Sequence, residues 1–462
     1  MDNKVKLMLH PDQEAIIAQC TPTGSGAIAL LRISGDNAIK IANKISKLTS
    51  NKQLADMLSH TIHFGWVVDE EKNIIDQVLF LLMHEPKTFT GQNTVEITCH
   101  NNPFIIQNII NCAIKAGARL AQNGEFTKRA FLNDKIDLLQ AESINDLIHA
   151  QTQMALKASL AQIDGSLSAH IHQIEKDLLQ AFSLSESSFE FIEEDEIEFG
   201  AQITQIIKKN ICNIRVLKKN FDQQKQIKEG IRIAIIGSVN AGKSSLFNAL
   251  LQQKRAIVTN IAGTTRDSIE AGIIRNNNFI TLVDTAGLRK TENEIEKEGI
   301  QRSLEEAKKA DLIVLVFDAS RNISPEEQFV HENIINQHKR KIIFVHNKSD
   351  IKIDQKNNYN AIEVSSLNNE NMCKLQETID TKITELFSHI ESPFLLNKRQ
   401  YNLLSALENK LQTLKLMLQD NIDYEIISYH LKDTLASLSE FTGKTISEKS
   451  IDLIFKEFCI GK

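Results

Sequence analysis

Apolar and polar residues are spaced in three different ways along the 462 residues. From residue 14 to about 130, short apolar runs are broken by polar stretches. Gly26–Ile33 and Gln77–Met83 read as strands, and Pro103–Ala116 has the spacing of an amphipathic helix. This mixture predicts an α+β domain. From about Asp134 the period lengthens, and Leu156, Leu160, Ile163, Leu167, Ile171, Ile174 and Leu178 form a three-and-four stripe that predicts helical core. Beyond Ile231, apolar runs alternate with helical segments: Ile231–Ile236, Ile280–Asp284, Leu312–Phe317, Lys341–Val345 and Ala361–Val364. That order predicts a doubly wound sheet ending near Phe387. Helical spacing then resumes, with Leu403, Leu404, Leu407, Leu411, Leu414 and Leu418 on one face and Ile427, Leu431, Leu435 and Leu438 on another. The acidic run Glu193–Glu196 between these textures reads as a solvated loop.

Three strand ends in the doubly wound region carry chemistry. Gly237-Ser-Val-Asn-Ala-Gly-Lys-Ser244 fits G-x-x-x-x-G-K-S directly after an apolar strand. Its glycines permit a tight turn, so backbone N–H groups of Asn240, Ala241, Gly242, Lys243, Ser244 and Ser245 converge on phosphate at a helix N-terminus. Lys243 is placed to reach the β- and γ-phosphates, the Ser244 hydroxyl to ligate Mg²⁺, and Asp284 to hold that metal through water. Asp284-Thr285-Ala286-Gly287 follows the second strand, and Gly287 offers an N–H to the γ-phosphate. Asn347-Lys348-Ser-Asp350 follows another. The Asp350 carboxylate can accept from the ring N–H and exocyclic amine of guanine, Lys348 can cover the base with its stem, and Ser365 and Ser366 lie where a backbone N–H meets the guanine carbonyl. The order of these motifs implies a GTPase.

These readings give a multidomain α/β and α chain. An N-terminal α+β domain spans 1–130, a helical domain 131–229 and 388–462, and a P-loop G domain 230–387 is inserted between the two helical parts. Hydrophobic residues make up 42% of the chain, enough for several cores. Six cysteines without a C-x-x-C pair argue for reduced thiols rather than a disulfide or zinc framework. Neither an apolar leader core nor a run near the roughly 18 apolar residues of a membrane span is evident, so a cytoplasmic enzyme off the membrane is expected. A net charge of −6 excludes a broadly basic nucleic-acid surface, so contact with RNA is expected to be local or shared with a partner.

Four signatures together resemble the MnmE/TrmE family of tRNA-modification GTPases over nearly the whole chain. They are Thr21–Ile28 with Leu31–Gly35, Gly124–Lys135, the GTPase set with Ile261–Asp267, and the terminal Phe458-Cys-Ile-Gly-Lys462. The resemblance implies an N-terminal folate-binding and dimerisation domain. Arg32, Glu96, Lys135 and Lys462 would face 5-formyltetrahydrofolate or 5,10-methylenetetrahydrofolate. It also implies a potassium ion in place of an arginine finger, held by Asn240, Thr259, Ile261 and Thr264, with Asn260, Ala262 and Gly263 in the same nucleotide-binding loop. Thr265 would join Ser244 on Mg²⁺, and Glu296 would orient the attacking water, giving Glu296, Lys243 and Asn240 catalytic roles. Implied partners are a second copy of the chain, an FAD-containing MnmG subunit in a heterotetramer or larger assembly, and tRNA. The implied product is a carboxymethylaminomethyl or aminomethyl group on carbon 5 of the wobble uridine. The pattern departs at His100-Asn101-Asn102, where the family shows His-Gly-Gly, and a glycine-dependent turn near Glu96 is expected to change.

Read without the resemblance, Glu296 is one acid on a solvated helix face and Arg32, Glu96 and Lys135 are surface charges. Cys459 reads as either a buried small residue or a reactive thiol. The rival function is a ribosome-assembly GTPase that binds rRNA, but the basic G-x-x-G loop of a KH module is missing outside the phosphate loop. A nucleotide-regulated structural dimer is the third reading; it predicts hydrolysis indifferent to potassium.

Overall fold

The fold comes from a computed structural model. It describes residues 13–50, 52–187, 196–219, 221, 224–252, 269–275, 278–285, 295–351, 359–387, 394–420 and 423–461, without the side chains of 196–198, 225, 252, 269, 295–300 and 302. Two compact units emerge. The first runs through Ile148 and adds Leu160–Arg215 and Lys398–Lys462; the second comprises His149–Ser159 and Val216–Asn397.

The first unit is built on a seven-stranded sheet. Its strands are β1 (Ile16–Gln19), β2 (Ile28–Ser34), β3 (Ser46–Leu48), β4 (Thr61–Val68), β5 (Ile74–Met83), β6 (Thr94–His100) and β7 (Arg119–Leu120). The spatial order is β3-β4-β5-β6-β2-β1-β7, antiparallel except where β7 lies parallel to β1. Alternation puts Leu31, Ile33, Phe80, Leu82, Val95 and Ile97 on one face, where Ile106 and Ile109 of helix Pro103–Lys115 cover them. On the other face Ile62 pairs Leu81 and Phe64 pairs Leu79, and Ile62 and Phe64 remain 63% and 43% exposed.

Asn102 caps helix Pro103–Lys115 by accepting from the Phe104 N–H at 2.9 Å, with Pro103 at the first helical position. Asn101 donates to the Gly24 carbonyl at 2.9 Å. Asn102 has φ −114°, and Asn101 does not take positive φ either, so the turn after Glu96 needs no glycine.

Helices Leu138–His149, Ser166–Ser187, Lys398–Gln419 and Tyr424–Thr442 complete this unit's apolar packing. Leu404, Leu407, Leu411 and Leu414 are buried as their spacing predicts, and Arg399 holds Glu142 through two bonds of 2.7 and 2.8 Å. The predicted stripe from Leu156 to Leu178 is divided. Gly165, at φ +92°, separates helix Gln153–Ile163 from Ser166–Ser187. Leu167, Ile171, Ile174 and Leu178 are buried, but Leu156 and Leu160 are 42% and 47% exposed. The break resets the helical phase, and the shorter helix buries Ala155, Ser159 and Gln162 instead. The run Glu193–Glu196 lies outside the described residues apart from the backbone of Glu196.

The second unit contains β8 (Ile231–Gly237), β9 (Ile269–Arg275), β10 (Asn278–Asp284), β11 (Leu312–Asp318), β12 (Ile342–Asn347) and β13 (Ile362–Val364). Their order is β13-β12-β11-β8-β10-β9, parallel except for β9 on the edge. Strands buried on both faces read as continuous apolar runs. Every residue of β11 is buried accordingly. Helices Lys243–Gln252 and Met372–Phe387 cover one face through Leu246, Leu250, Leu375 and Ile379. Ala307 of helix Ile295–Lys309 and Ile334 of helix Pro325–His338 cover the other. Among the described residues no helix is long and apolar enough to cross a membrane.

Candidate functional site

Strands β8, β10, β11, β12 and β13 end on the same edge of the second sheet, the C-terminal edge where parallel α/β sheets bind ligands. The phosphate loop leaves β8 there and opens helix Lys243–Gln252. Asn240 takes left-handed backbone with φ +62° and Gly242 follows at +85°. A Cβ on Gly242 would lie 2.2 Å from Asn347 Nδ2, so glycine is required by contact as well as by conformation.

Asn347, 1% exposed, joins two loops. Its Nδ2 donates to the Ala241 carbonyl at 3.0 Å, and its Oδ1 accepts from the Ser366 N–H at 3.1 Å. Ser365, fully buried, ties its N–H and carbonyl to Glu370 across a tight turn, and its hydroxyl accepts from the Asn368 N–H at 3.2 Å. One buried amide therefore fixes the phosphate loop against both segments expected to read the base. Asp350 is exposed on the short turn Ser349–Ile351, so its carboxylate is accessible.

Lys243 is 7% exposed, and its ammonium donates to the carbonyls of Gly237 at 2.8 Å and Ser238 at 2.7 Å. Burial pushes its pKa down, against an opposing pull from Asp284. Asp284 is 1% exposed at the end of β10, and Thr285 anchors the turn by donating to the Ile235 carbonyl at 3.0 Å. Ser244 and Ser245 are exposed in the first turn of the helix. Buried cation, buried carboxylate and exposed first helical turn form a site that favours a phosphate–metal pair.

Thr259, Asn260, Ile261, Ala262, Gly263, Thr264, Thr265, Ala286 and Gly287 lie outside the described residues. So does the side chain of Glu296, whose backbone belongs to helix Ile295–Lys309. The remaining predicted nucleotide residues, from Asn240 to Ser245 and at Asp284, Thr285, Asn347, Lys348, Asp350, Ser365 and Ser366, all lie at the same sheet edge or in the loops and first turns leaving it.

Sequence reasoning missed Asp318, Arg321 and Glu327. Lys348, at φ +64°, turns its ammonium 2.7 Å from Asp318 Oδ2 at the end of β11. Burial opposes the charge on Asp318, but Lys348 and Ser320 hold its carboxyl below the usual range. The available signal was Ser324-Pro-Glu-Glu327, a capping box that forms with both reciprocal bonds. Nothing in the linear pattern says that its glutamate also takes both terminal guanidinium nitrogens of Arg321.

In the first unit, Arg32 Nε and Nη2 each lie 2.8 Å from Glu96 Oε1, across the β2–β6 pairing. The guanidinium sits 5.8 Å from the Phe89 ring and 5.4 Å from the Phe126 ring. Lys135 Nζ donates to the Pro86 carbonyl at 2.9 Å, on the segment that carries Phe89. Arg32 and Glu96 are thus in direct contact, and Lys135 joins them through residues 86–91.

Comparison with known proteins decides the family. Residues 15–135 match the family described as GTP-binding protein TrmE N-terminus, and residues 138–459 match the MnmE helical domain. Over 97% of its length the chain is 36% identical to the tRNA modification GTPase MnmE of Lachnoclostridium phytofermentans, covering 99% of that protein. The chain belongs to the MnmE family of tRNA modification GTPases. The protein of the same name from Bacillus subtilis is 35% identical over 97% of this chain and 100% of its own length. A solved Aquifex aeolicus Era structure is 26% identical over 40% of this chain and 67% of that one, with a TM-score of 0.27.

As a member of the MnmE family the chain is a GTPase with a P-loop G domain. The final signature of the MnmE resemblance lies, as far as Gly461, against the first sheet. The Cys459 carbonyl accepts from the Gly124 N–H at 3.2 Å, and the Cys459 side chain is exposed. Gly461 has φ +88°, and a Cβ there would lie 2.4 Å from the Gln19 carbonyl and 2.8 Å from Cys20 Cα. Only glycine fits this approach. Lys462 lies outside the described residues.

Proposed function

We propose that this MnmE-family chain is a potassium-stimulated GTPase of tRNA wobble-uridine modification. Working with an FAD-containing MnmG subunit in the cytoplasm, it adds an aminomethyl or carboxymethylaminomethyl group to carbon 5 of that uridine, using a tetrahydrofolate one-carbon unit. The observation that supports this most strongly is the Asn347 amide, which bonds the phosphate loop on one side and the base-reading segment on the other. A triphosphate and a purine ring then fit one sheet edge together.

In this reading Asp350 accepts the guanine N–H groups, Lys348 covers the ring, and the Lys243 ammonium leaves the loop carbonyls for the β- and γ-phosphates. Phosphate supplies the counter-charge that Lys243, with its lowered pKa, is short of in the buried loop. The exposed Ser244 hydroxyl and buried Asp284 fit a hard cation bound by oxygens. Magnesium held there neutralises charge on the phosphate oxygens. Asn240, exposed and left-handed at the loop crest, fits a potassium ligand, with Thr259, Ile261 and Thr264 as its proposed companions. Potassium bound there stabilises charge between the β- and γ-phosphates. Thr265 is assigned to magnesium and Glu296 to the attacking water.

Folate is assigned to the first sheet. Glu96 offers an acceptor to the pterin N–H groups, Arg32 bonded beside it carries a cation at the same end of the ligand, and the partly exposed Phe89 supplies a flat apolar wall. Lys135 and Lys462 are assigned to the same ligand. A homodimer is supported by the apolar strip that Ile62, Phe64 and Leu79 expose on the outer face of that sheet.

The test is GTP turnover by the purified chain in KCl and in NaCl, with and without the flavoprotein. Potassium is expected to raise the rate by at least about tenfold. Asn240→Ala is expected to erase that stimulation while leaving GDP affinity near its starting value. Equal rates in the two salts, or an Asn240→Ala variant still stimulated, would overturn the potassium assignment.

A further inference from the structure

The geometry points to Asp318 as a positioning residue for guanine: it anchors the Lys348 ammonium, so that the lysine stem is already laid out to cover the ring when nucleotide arrives. This rests on the nucleotide reading above and deepens it, since that reading gives Lys348 a role and Asp318 none.

Parallel pairing of β11 with β12 sets Asp318 beside Asn347, and the Ala319 N–H donates to the Asn347 carbonyl at 2.9 Å. The end of β11 is thereby laced to the residue before Lys348. Lys348 takes left-handed backbone at φ +64°, which a lysine seldom adopts unless its surroundings over-determine it. Its ammonium lies 2.7 Å from Asp318 Oδ2. Asp318 Oδ1 accepts from the Ser320 N–H at 2.9 Å and from the Ser320 hydroxyl at 2.5 Å. One carboxylate oxygen is thus fixed by its own turn, and the other faces the lysine.

Exposed ion pairs contribute little, because water screens them and two long side chains must be ordered. Here only one long side chain is ordered, and the acid is 5% exposed against 31% for the lysine. Burial works against charge on Asp318, but Lys348 and Ser320 outweigh it and hold the carboxyl below its usual range. Arg321 Nε stays 3.7 Å from the same oxygen, its Nη1 and Nη2 being forked onto Glu327 at 3.0 and 2.6 Å. The short contact therefore belongs to Lys348. A lysine stem loose in water loses rotamer freedom when it packs on a base. Tethered at its far end, it has lost that freedom on folding, and binding is tighter for it.

The test uses the full chain, with fluorescent GDP for affinity and steady-state turnover for GTP. Asp318→Asn keeps an oxygen for Ser320 and turns an amide N–H toward the ammonium, so the turn persists while the anchor is lost. The GDP Kd and the KM for GTP are each expected to rise by about three- to tenfold, with kcat within about twofold of wild type, because the stem meets the base equally before and during the reaction. Lys348→Met, which keeps an apolar stem without the charge, is expected to weaken GDP binding similarly. In that background Asp318→Asn is expected to have no further effect, since the contact through which it acts is already gone. Unchanged GDP affinity in Asp318→Asn, a fall in kcat as large as the fall in kcat/KM, or single effects that multiply in the double variant would overturn the anchor. If Asp318→Asn does not fold, Lys348→Met decides alone, and wild-type GDP affinity in it overturns the anchor. A wild-type chain that does not bind GDP would instead overturn the nucleotide reading beneath it.

Discussion

Replacing Lys243 by alanine is expected to lower kcat/KM for GTP by about a thousandfold, the order seen when one preorganised donor to developing charge is removed. Lys243 is 7% exposed and its ammonium donates to the Gly237 and Ser238 carbonyls of its own loop, so it needs only a local turn to reach a phosphate bound there. Alanine also leaves Asp284, 1% exposed, without its neighbouring cation. Stability is expected to change less than activity, because the two carbonyls given up lie on the loop and become accessible to water. Steady-state turnover compared with the thermal midpoint separates the two. A variant within tenfold of wild-type activity would remove Lys243 from the chemistry.

Asp350→Asn carries the second large effect. A carboxylate at this position accepts two N–H bonds from guanine, each charge-assisted and worth about 1.5–3 kcal/mol, so losing them predicts at least about a hundredfold weaker GDP binding. An asparagine amide donates where the carboxylate accepted. Xanthine, with a carbonyl in place of the exocyclic amine, then becomes the better partner. Competition between GDP and xanthosine diphosphate for the variant measures this inversion. Retained guanine preference would mean that Asp350 does not read the base.

Much of this site was legible because its parts sit at strand ends. Ile231–Ile236, Leu312–Phe317 and Ala361–Val364 are apolar runs too short for helices, and each becomes a strand within about one residue of its predicted ends. The chemistry follows from what the next residues are. The helical stripe was less legible, since apolar spacing from Leu156 to Leu178 continues across Gly165 while the helix does not. Period alone does not register a change of axis. The Asn347 bridge was invisible for another reason: it depends on which loops a sheet brings together, and parallel connections carry no local signal of their partners. Asn102 is the converse case: at the departure from Gly that was expected to change a turn, the side chain caps a helix.

The most direct test of the central claim is calorimetric titration of the purified chain with GDP and with ADP, each in magnesium. The account predicts saturable binding of GDP and an affinity for ADP at least about a hundredfold weaker, because adenine leaves the Asp350 carboxylate without its donors. ADP binding as tightly as GDP, or neither nucleotide binding, would contradict it.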